Sequence, residues 1–359
     1  MSSTKQNTAI WANETGAIVV EPVPVPAPGP DELHIEVLYS GVNPTDLRTP
    51  RFFGCTRRVL GQEFCGRVLR APAPGQPFSE GDVVAGYTEG GKDRPLQQGT
   101  HQSYISLPPQ HSVFRVPGNV PHADAATLTV AVMTANDALY NRFGLPLPSE
   151  AGAEGVVEGT LVVWGGSTSV GMAAIQLARA SGVRTIVATA SPARHELLKR
   201  IGATECFDYK DDAVVEKVKS AIAAAGAGPV WGFDAAGVPG VSQKLLSGAV
   251  PDHGDVRLAT VFLVVEEDER FEVVLGSRHY DVEFDIPGRE GGLIRFPARP
   301  AEQERMWEAL MWVLEHYGAE YQALPVRVYD GPAEGALEEI AKVADLGTFG
   351  KVVLKLPFC

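Results

Sequence analysis

The chain has 359 residues, 45% apolar and 21% charged, with a formal net charge of −13. This length accommodates two domains and the composition is that of a soluble globular protein, while the acidic balance and the lack of a long basic run argue against a nucleic-acid partner. No apolar run reaches the ~18 residues of a membrane-spanning helix, Met1 to Asn7 lacks the apolar core of a secretory signal, and the four scattered cysteines, Cys55, Cys65, Cys206 and Cys359, form neither a disulfide framework nor a C-x-x-C pair, so free thiols in a cytoplasmic protein are expected.

Residues 8–30 read as a short strand pair running into a segment, 21–30, with proline at alternate positions. Such prolines forbid a helix or central strand and leave an extended surface connection. Residues 32–39 alternate as a half-buried strand. Gly61, Gly66, Gly81 and Gly86 suit turns and bulges in the strands that follow. Residues 121–144 read as a short helix, a turn and a longer helix ending near Gly144, and 144–159 as a loop that is long for a connection inside a compact domain.

The chemistry is concentrated in residues 161–190. Four apolar residues, Leu161 to Trp164, make a buried strand; Gly165, Gly166, Ser167, Thr168, Ser169, Val170 and Gly171 make a glycine-rich turn; Met172, Ile175 and Leu177 fall at helical spacing; residues 185–190 make a second strand. In such a βαβ unit the glycines admit a pyrophosphate close to the backbone, and the helix start offers unpaired N–H groups and a positive dipole end. The spacing departs from G-x-G-x-x-G, since Thr168 stands where a second glycine is usual, and an ordinary tight turn is the competing reading. The second strand runs into Ala190, Ser191, Pro192, Ala193, Arg194 and His195 with no acid to hold a ribose 2′-hydroxyl. Ser191 and Arg194 suit a 2′-phosphate instead, which favours NADPH; the alternative is a solvated Arg194 in the next helix.

Beyond this unit the pattern is helix 193–201, strand 206–208, helix 213–225 and strand 230–234, with a turn at Ala235, Ala236 and Gly237. A doubly wound sheet places its ligands at such a strand end. A strand at 258–265 follows, then a charged, weakly periodic excursion over 266–300 containing Pro287, Pro297 and Pro300, and a helix over 302–317. Segments 324–329, 334–344 and 351–356 return to the first domain.

The succession Gly41-Val-Asn-Pro-Thr-Asp46, Gly61-Gln-Glu-Phe-Cys-Gly-Arg-Val68, Phe78 to Gly86, Gly99 to Tyr104 and Val352 to Leu356, arranged around the glycine turn, resembles the medium-chain dehydrogenase/reductase superfamily over nearly the whole chain. The resemblance implies an α/β protein: a GroES-like β-barrel domain from residues 1–130 and 315–359, and an inserted Rossmann domain, a doubly wound parallel sheet, over 131–314. Alcohol-dehydrogenase members hold catalytic zinc with a Cys and a His at the positions of Asn43 and Gln62. Amides are poor zinc ligands, and the four-cysteine structural-zinc lobe is missing, so no metal is expected. Reduction of an activated C=C bond needs none.

Gly144-Leu-Pro-Leu-Pro148 with the insertion after it, Val163 to Thr168, Ala190 to Pro192 and Gly202 to Tyr209 are similar to the trans-acting enoyl reductases of fungal polyketide synthases, of the lovastatin-pathway type. That similarity implies reduction of a carrier-bound α,β-unsaturated thioester with NADPH, and a partner synthase or synthase–peptide synthetase hybrid that presents its acyl carrier domain. It also implies a monomer. The implied cofactor residues are Thr45, Asp46, Leu47, Arg48, Gly165 to Val170, Ser191 to Arg194, Tyr209 beside the adenine, Val261, Phe262, Gly350 and Lys351. Ala135, Asn136, Leu139, Tyr140, Val282 and Phe284 are the expected substrate residues, and Thr134 and Arg48 the catalytic ones. Thr134 is equally readable as a threonine back-bonding in its helix. Arg48 stands where the lovastatin-type relative has lysine, and an arginine that stays protonated above pH ~12 is a weak proton donor. Competing readings are a zinc-free quinone or alkenal reductase acting on free small molecules, a non-catalytic NADPH-binding partner, and a relative shifted to another reduction or a cyclisation.

Overall fold

The computed structural model describes residues 7–72, 77–110, 112–151, 155–286, 292–345 and 349–359. The chain divides into two compact units, one of Met1–Val130, Arg278–Pro300 and Pro325–Cys359, the other of Ala131–Ser277 and Ala301–Leu324.

In the first unit the alternation in Leu33–Gly41 turns Leu33, Ile35 and Val37 inward. This strand pairs with Glu63–Arg70 on one side and Lys351–Lys355 on the other. Val83–Tyr87 and Val113–Arg115 extend the sheet one way, and Val326–Tyr329 the other. A three-stranded sheet orders Ile18–Val23, Asn7–Ala12 and Arg58–Val59. Helices Thr45–Phe52 and Ala333–Ala344 belong to the same unit, and Ala336 and Ile340 of the second pack with Ile10, Val42, Leu60 and Leu354. Arg278–Pro300, expected as an excursion within the second domain, groups with this unit. Its strands Val282–Asp285 and Leu293–Phe296 form an antiparallel hairpin, and Phe284 meets Phe53 and Phe296 edge-on at 5.8 and 6.3 Å. Pro287 lies outside the described residues.

The second unit carries a parallel sheet of β1 (Val157–Trp164), β2 (Val183–Thr189), β3 (Glu205–Phe207), β4 (Val230–Asp234), β5 (Val256–Thr260) and β6 (Phe271–Val273). Their order is β3-β2-β1-β4-β5-β6, so the direction of winding reverses between β1 and β4. Leu161, Val162 and Val163 are fully buried, as a central strand covered on both faces requires. β1 starts at Val157, inside the expected loop, whose residues 152–154 lie outside the described set. β5 ends at Thr260 rather than at 265: the Val261 N–H makes the last ladder bond, to the Asp234 carbonyl (3.0 Å), and the Phe262 N–H then turns back to Thr260 Oγ1 (3.0 Å). The expected longer helix is α-helical over Thr129–Asn136 and a π-helix over Asp137–Arg142.

Candidate functional site

The reversal point of the second unit is built by glycines. Gly165 follows β1 at φ +89°, and a Cβ on it would stand 2.9 Å from the Ala236 Cβ at the end of β4. Its N–H donates to Thr189 Oγ1 (3.1 Å), and that of Gly166 to the Thr189 carbonyl (2.8 Å), tying the turn to the end of β2. Helix α1 (Ser169–Ala180) begins so close to this turn that a Cβ on Gly171 would lie 2.3 Å from the Gly165 carbonyl oxygen. Thr168 is its N-cap: Oγ1 accepts from the Gly171 N–H (2.9 Å) and donates to the Ala235 carbonyl (3.1 Å). The hydroxyl of Thr168, one of the implied cofactor residues, is therefore committed to the helix start. Among the described residues the N–H groups of Ser167, Ser169 and Val170 and the two serine hydroxyls have no hydrogen-bond partner. A turn of this shape ending on a helix N-terminus fits a pyrophosphate.

Asp234, which sequence reasoning passed over, holds the other side of the reversal point. It is fully buried, with Oδ1 accepting from the N–H groups of Ala236 (3.1 Å) and Gly237 (3.0 Å), and Oδ2 from Ser242 Oγ (2.9 Å) and Thr260 Oγ1 (2.8 Å). Burial raises its pKa while these four bonds act the other way. Asp234 thereby fixes the turn that carries Ala236, Gly237, Val261 and Phe262 beside Gly165; a Cβ on Gly237 would stand 2.7 Å from Val261 Cγ2. A strand-final Asp before two alanines and a glycine was the available signal.

At the end of β2 the backbone passes through Ser191 into a 3₁₀ turn, Pro192–Arg194. The Arg194 N–H donates to the Ser191 carbonyl (2.9 Å), and the Ser191 hydroxyl has no partner among the described residues. Arg194 is half-buried, and His195 Nε2 lies 2.9 Å from the Ala190 carbonyl. Tyr209 is 46% exposed, with the Lys210 ammonium 5.7 Å from its ring centroid. Thr134 is buried on its helix. Ala135, Asn136, Leu139 and Tyr140, expected to meet substrate, lie in the core of this unit. Asn136 Nδ2 donates to the Met306 carbonyl (2.7 Å), and Tyr140 is hydrogen-bonded to Ser181 (3.3 Å). Their helix is apolar because it packs inward.

The first unit holds a second polar array. The Lys351 ammonium is buried and donates to Asn43 Oδ1 (2.7 Å), Glu63 Oε1 (2.8 Å) and the Val42 carbonyl (3.2 Å). Asn43 Nδ2 also donates to Glu63 Oε1 (2.8 Å), and Glu63 Oε2 accepts from the Val130 N–H (3.0 Å) and Thr129 Oγ1 (3.2 Å). Lys351, expected at a cofactor, makes these three bonds within its own unit, and the neighbouring Gly350, at φ +105°, is required because a Cβ would stand 2.7 Å from the Pro325 carbonyl. Asp46 is buried too, accepting from the Asn43 N–H (2.8 Å) and lying 3.3 Å from His101 Nε2, whose ring meets Ser40 Oγ at 2.7 Å on the other side. Thr45 Oγ1 donates to Gln62 Oε1 (2.8 Å). Leu47 packs on the Ile10 and Val42 cluster. Arg48 reaches the Ala344 carbonyl at the end of helix Ala333–Ala344 (3.5 Å), and burial lowers its pKa while Asp345 opposes the shift. The positions of a zinc site, Asn43 and Gln62, thus carry amides already hydrogen-bonded to an ammonium, a carboxylate and a hydroxyl. This donor set does not fit zinc, and among the described residues no group of three His, Cys, Asp or Glu is disposed to hold a metal.

Two family models match the chain: "Alcohol dehydrogenase GroES-like domain" over residues 29–118 and "Zinc-binding dehydrogenase" over residues 169–273. The chain is 35% identical over 221 residues to the trans-enoyl reductase himH of Aspergillus japonicus, a match covering 60% of this chain and 64% of that protein. It is 33% identical over 237 residues to the trans-enoyl reductase tazE of Aspergillus terreus, covering 61% and 73%. The match therefore spans less than two thirds of himH. Among solved structures, the CurK enoyl reductase superposes with a TM-score of 0.72 over 98% of this chain and 100% of that one at 18% identity, a likeness of fold.

Proposed function

Because the chain belongs to the medium-chain dehydrogenase/reductase superfamily, whose members use a nicotinamide cofactor, we propose that it is an NADPH-dependent trans-acting enoyl reductase. Its substrate is the α,β-unsaturated thioester of a polyketide held on the acyl carrier domain of a partner synthase. What supports the reading is that Asn43 and Gln62, at the positions of the superfamily's zinc ligands, are amides already hydrogen-bonded to Lys351, Glu63 and Thr45. Alcohol oxidation leans on a Lewis acid to hold an alkoxide; a conjugated thioester takes up the negative charge on its own carbonyl. The names of the similar fungal proteins support the same choice.

The N–H groups of Ser167, Ser169 and Val170 at the start of α1 would hold the pyrophosphate. Ser191 and Arg194 would hold the 2′-phosphate, the guanidinium by charge-assisted hydrogen bonds, and Tyr209 would flank the adenine. Val261 and Phe262, fixed through Asp234 and Thr260, would border the nicotinamide. When bound, that ring supplies a hydride to the β-carbon. Thr134 donates a hydrogen bond to the enolate oxygen that results. The chain's own work is orientation and charge stabilisation.

The test is consumption of NADPH by the purified protein with crotonyl- and longer enoyl-pantetheine thioesters, NADH serving as control. Turnover with NADPH and little with NADH supports the reading. Turnover confined to free quinones or enals moves the protein to the quinone and alkenal reductases. Tight NADPH binding without turnover, even of carrier-bound enoyl substrate, leaves a non-catalytic binding protein.

A further inference from the structure

The buried Lys351 ammonium is met by the Glu63 carboxylate, but a second group of buried charges in the first unit is not balanced. Arg58 and Arg94 are 5% and 9% exposed. Arg58 opens the strand Arg58–Val59, which pairs with Asn7–Ala12, and Arg94 lies in the loop after strand Val83–Tyr87. Both guanidiniums are turned to neutral acceptors. Arg58 Nη1 donates to the Gly91 carbonyl (2.6 Å). Arg94 Nη1 donates to the Gly61 carbonyl (2.6 Å) and Thr88 Oγ1 (3.3 Å), and Nη2 to the Val59 carbonyl. Neither arginine forms an ion pair among the described residues, and Arg94 Nε is sealed from solvent without a partner.

A guanidinium keeps its proton at any ordinary pH, so the unit buries two like charges. The counter-charge nearby falls short. Asp46 is the carboxylate whose field reaches both arginines, against the burial that disfavours their charged forms. It is 3% exposed; its Oδ2 accepts from the Asn43 N–H and lies 3.3 Å from His101 Nε2, while its Oδ1 is sealed without a partner. Burial pushes the neighbouring Cys55 thiol up, so it stays neutral at pH 7. Glu283 and Asp285 are engaged by the Lys92 ammonium (3.2 and 3.9 Å), and Asp93 is exposed. At least one positive charge is left over, and buried charges are ordinarily paired because an ion taken from water without a partner is strongly disfavoured. Asp46, Arg58 and Arg94 line one cavity of about 10 Å³ with Thr49 and Gln62. That is room for one water-sized group. Thr45, which is exposed, also borders it.

We propose that this cavity binds a small monovalent anion, a halide or the carboxylate of a small organic acid, held between the guanidiniums of Arg58 and Arg94. The surplus positive charge selects an anion, and the volume admits a single atom or one carboxylate oxygen. Asp46 Oδ1 on the same wall repels a second negative charge, which excludes sulfate and phosphate. The site lies wholly in the first unit and holds whether or not the protein reduces enoyl thioesters.

The test uses the full-length protein at one ionic strength in chloride, formate or sulfate. Amide hydrogen exchange in strands Arg58–Val59 and Glu63–Arg70 should be about tenfold slower in chloride or formate, at ten times the dissociation constant, than in sulfate. Crystals soaked in bromide should show an anomalous peak between the two guanidiniums. Slowing in chloride together with the bromide peak makes the ligand a free halide, and slowing in formate alone makes it a carboxylate. Arg94→Met should abolish the dependence on the anion. Asp46→Asn, which removes the offsetting charge, should instead tighten anion binding severalfold, a gain that a merely destabilised variant would not give. Equal exchange in all three salts with no bromide peak between Arg58 and Arg94 overturns the site, and so does an anion dependence that survives Arg94→Met unchanged.

Discussion

Lys351→Met puts the buried array of the first unit to a quantitative test. The side chains of Lys351 and Glu63 are 6% and 0% exposed, and their charges are 2.8 Å apart. Taking away the ammonium leaves the Glu63 carboxylate buried with only neutral donors, Asn43 Nδ2, Thr129 Oγ1 and the Val130 N–H. Removing one partner of a buried pair costs about 3–5 kcal/mol, and the surviving hydrogen bonds place the expected loss near the lower end. Combining K351M with Glu63→Gln should recover at least about 1 kcal/mol relative to the sum of the single losses, because the stranded charge is gone. Native-state hydrogen exchange of strands Leu33–Gly41 and Glu63–Arg70 reads this unit by itself, which whole-protein melting does not. A K351M loss under about 1 kcal/mol, or strict additivity in the cycle, would refute the claim that the ammonium neutralises Glu63.

Three further outcomes are expected. Thr168→Ala should cost about 1 kcal/mol of stability by removing the α1 cap and should weaken dinucleotide binding in a fluorescence titration, whereas Thr168→Ser should restore both. Arg194→Glu should raise the KM for NADPH at least ~10-fold, about 1.4 kcal/mol, and leave that for NADH nearly unchanged; equal effects on the two cofactors would remove Arg194 from the 2′-phosphate. Burial pushes the half-buried Glu89 carboxyl, whose Oε1 has no hydrogen-bond partner among the described residues, up to about 8, which favours the fold below the ordinary 4.5 and is lost as pH climbs to about 8. With the screening of its exposed part allowed for, this gap is worth about 2 kcal/mol. Urea unfolding should therefore show wild type losing about that much relative to E89Q between pH 5 and pH 9.

The strand, glycine turn and helix of the second unit were legible because their determinants are local. Leu161 to Trp164 is apolar without interruption, and the glycines, cap and helix follow within ten residues. The start of β1 was not legible, since Val157, Glu158 and Gly159 read as loop until the Val157 N–H finds the Gly182 carbonyl (3.0 Å). The first unit was harder still. Lys351 meets Asn43 and Glu63 across separations of 308 and 288 residues, so nothing near it announces that its ammonium points inward. Residues 278–300 carry weak periodicity because their described strands, Val282–Asp285 and Leu293–Phe296, are four residues each, too short to set up a repeat, and because packing partners such as Phe53 lie far off in sequence. Ala135, Asn136, Leu139 and Tyr140 read either way from the sequence: a helix buried on most sides shows the same small and apolar residues as a substrate wall. Glu89 left no trace at all, since an unpartnered carboxyl is a property of its surroundings.

The most direct measurement follows one atom. The purified protein is given NADPH deuterated at the transferring position of nicotinamide C4 together with an enoyl-pantetheine thioester, and the product is analysed by mass spectrometry and deuterium NMR. The account predicts one deuterium at the β-carbon of a saturated thioester and solvent hydrogen at the α-carbon. Deuterium on a carbinol carbon with the C=C bond intact, or an unlabelled substrate recovered beside unconsumed NADPH, would contradict it.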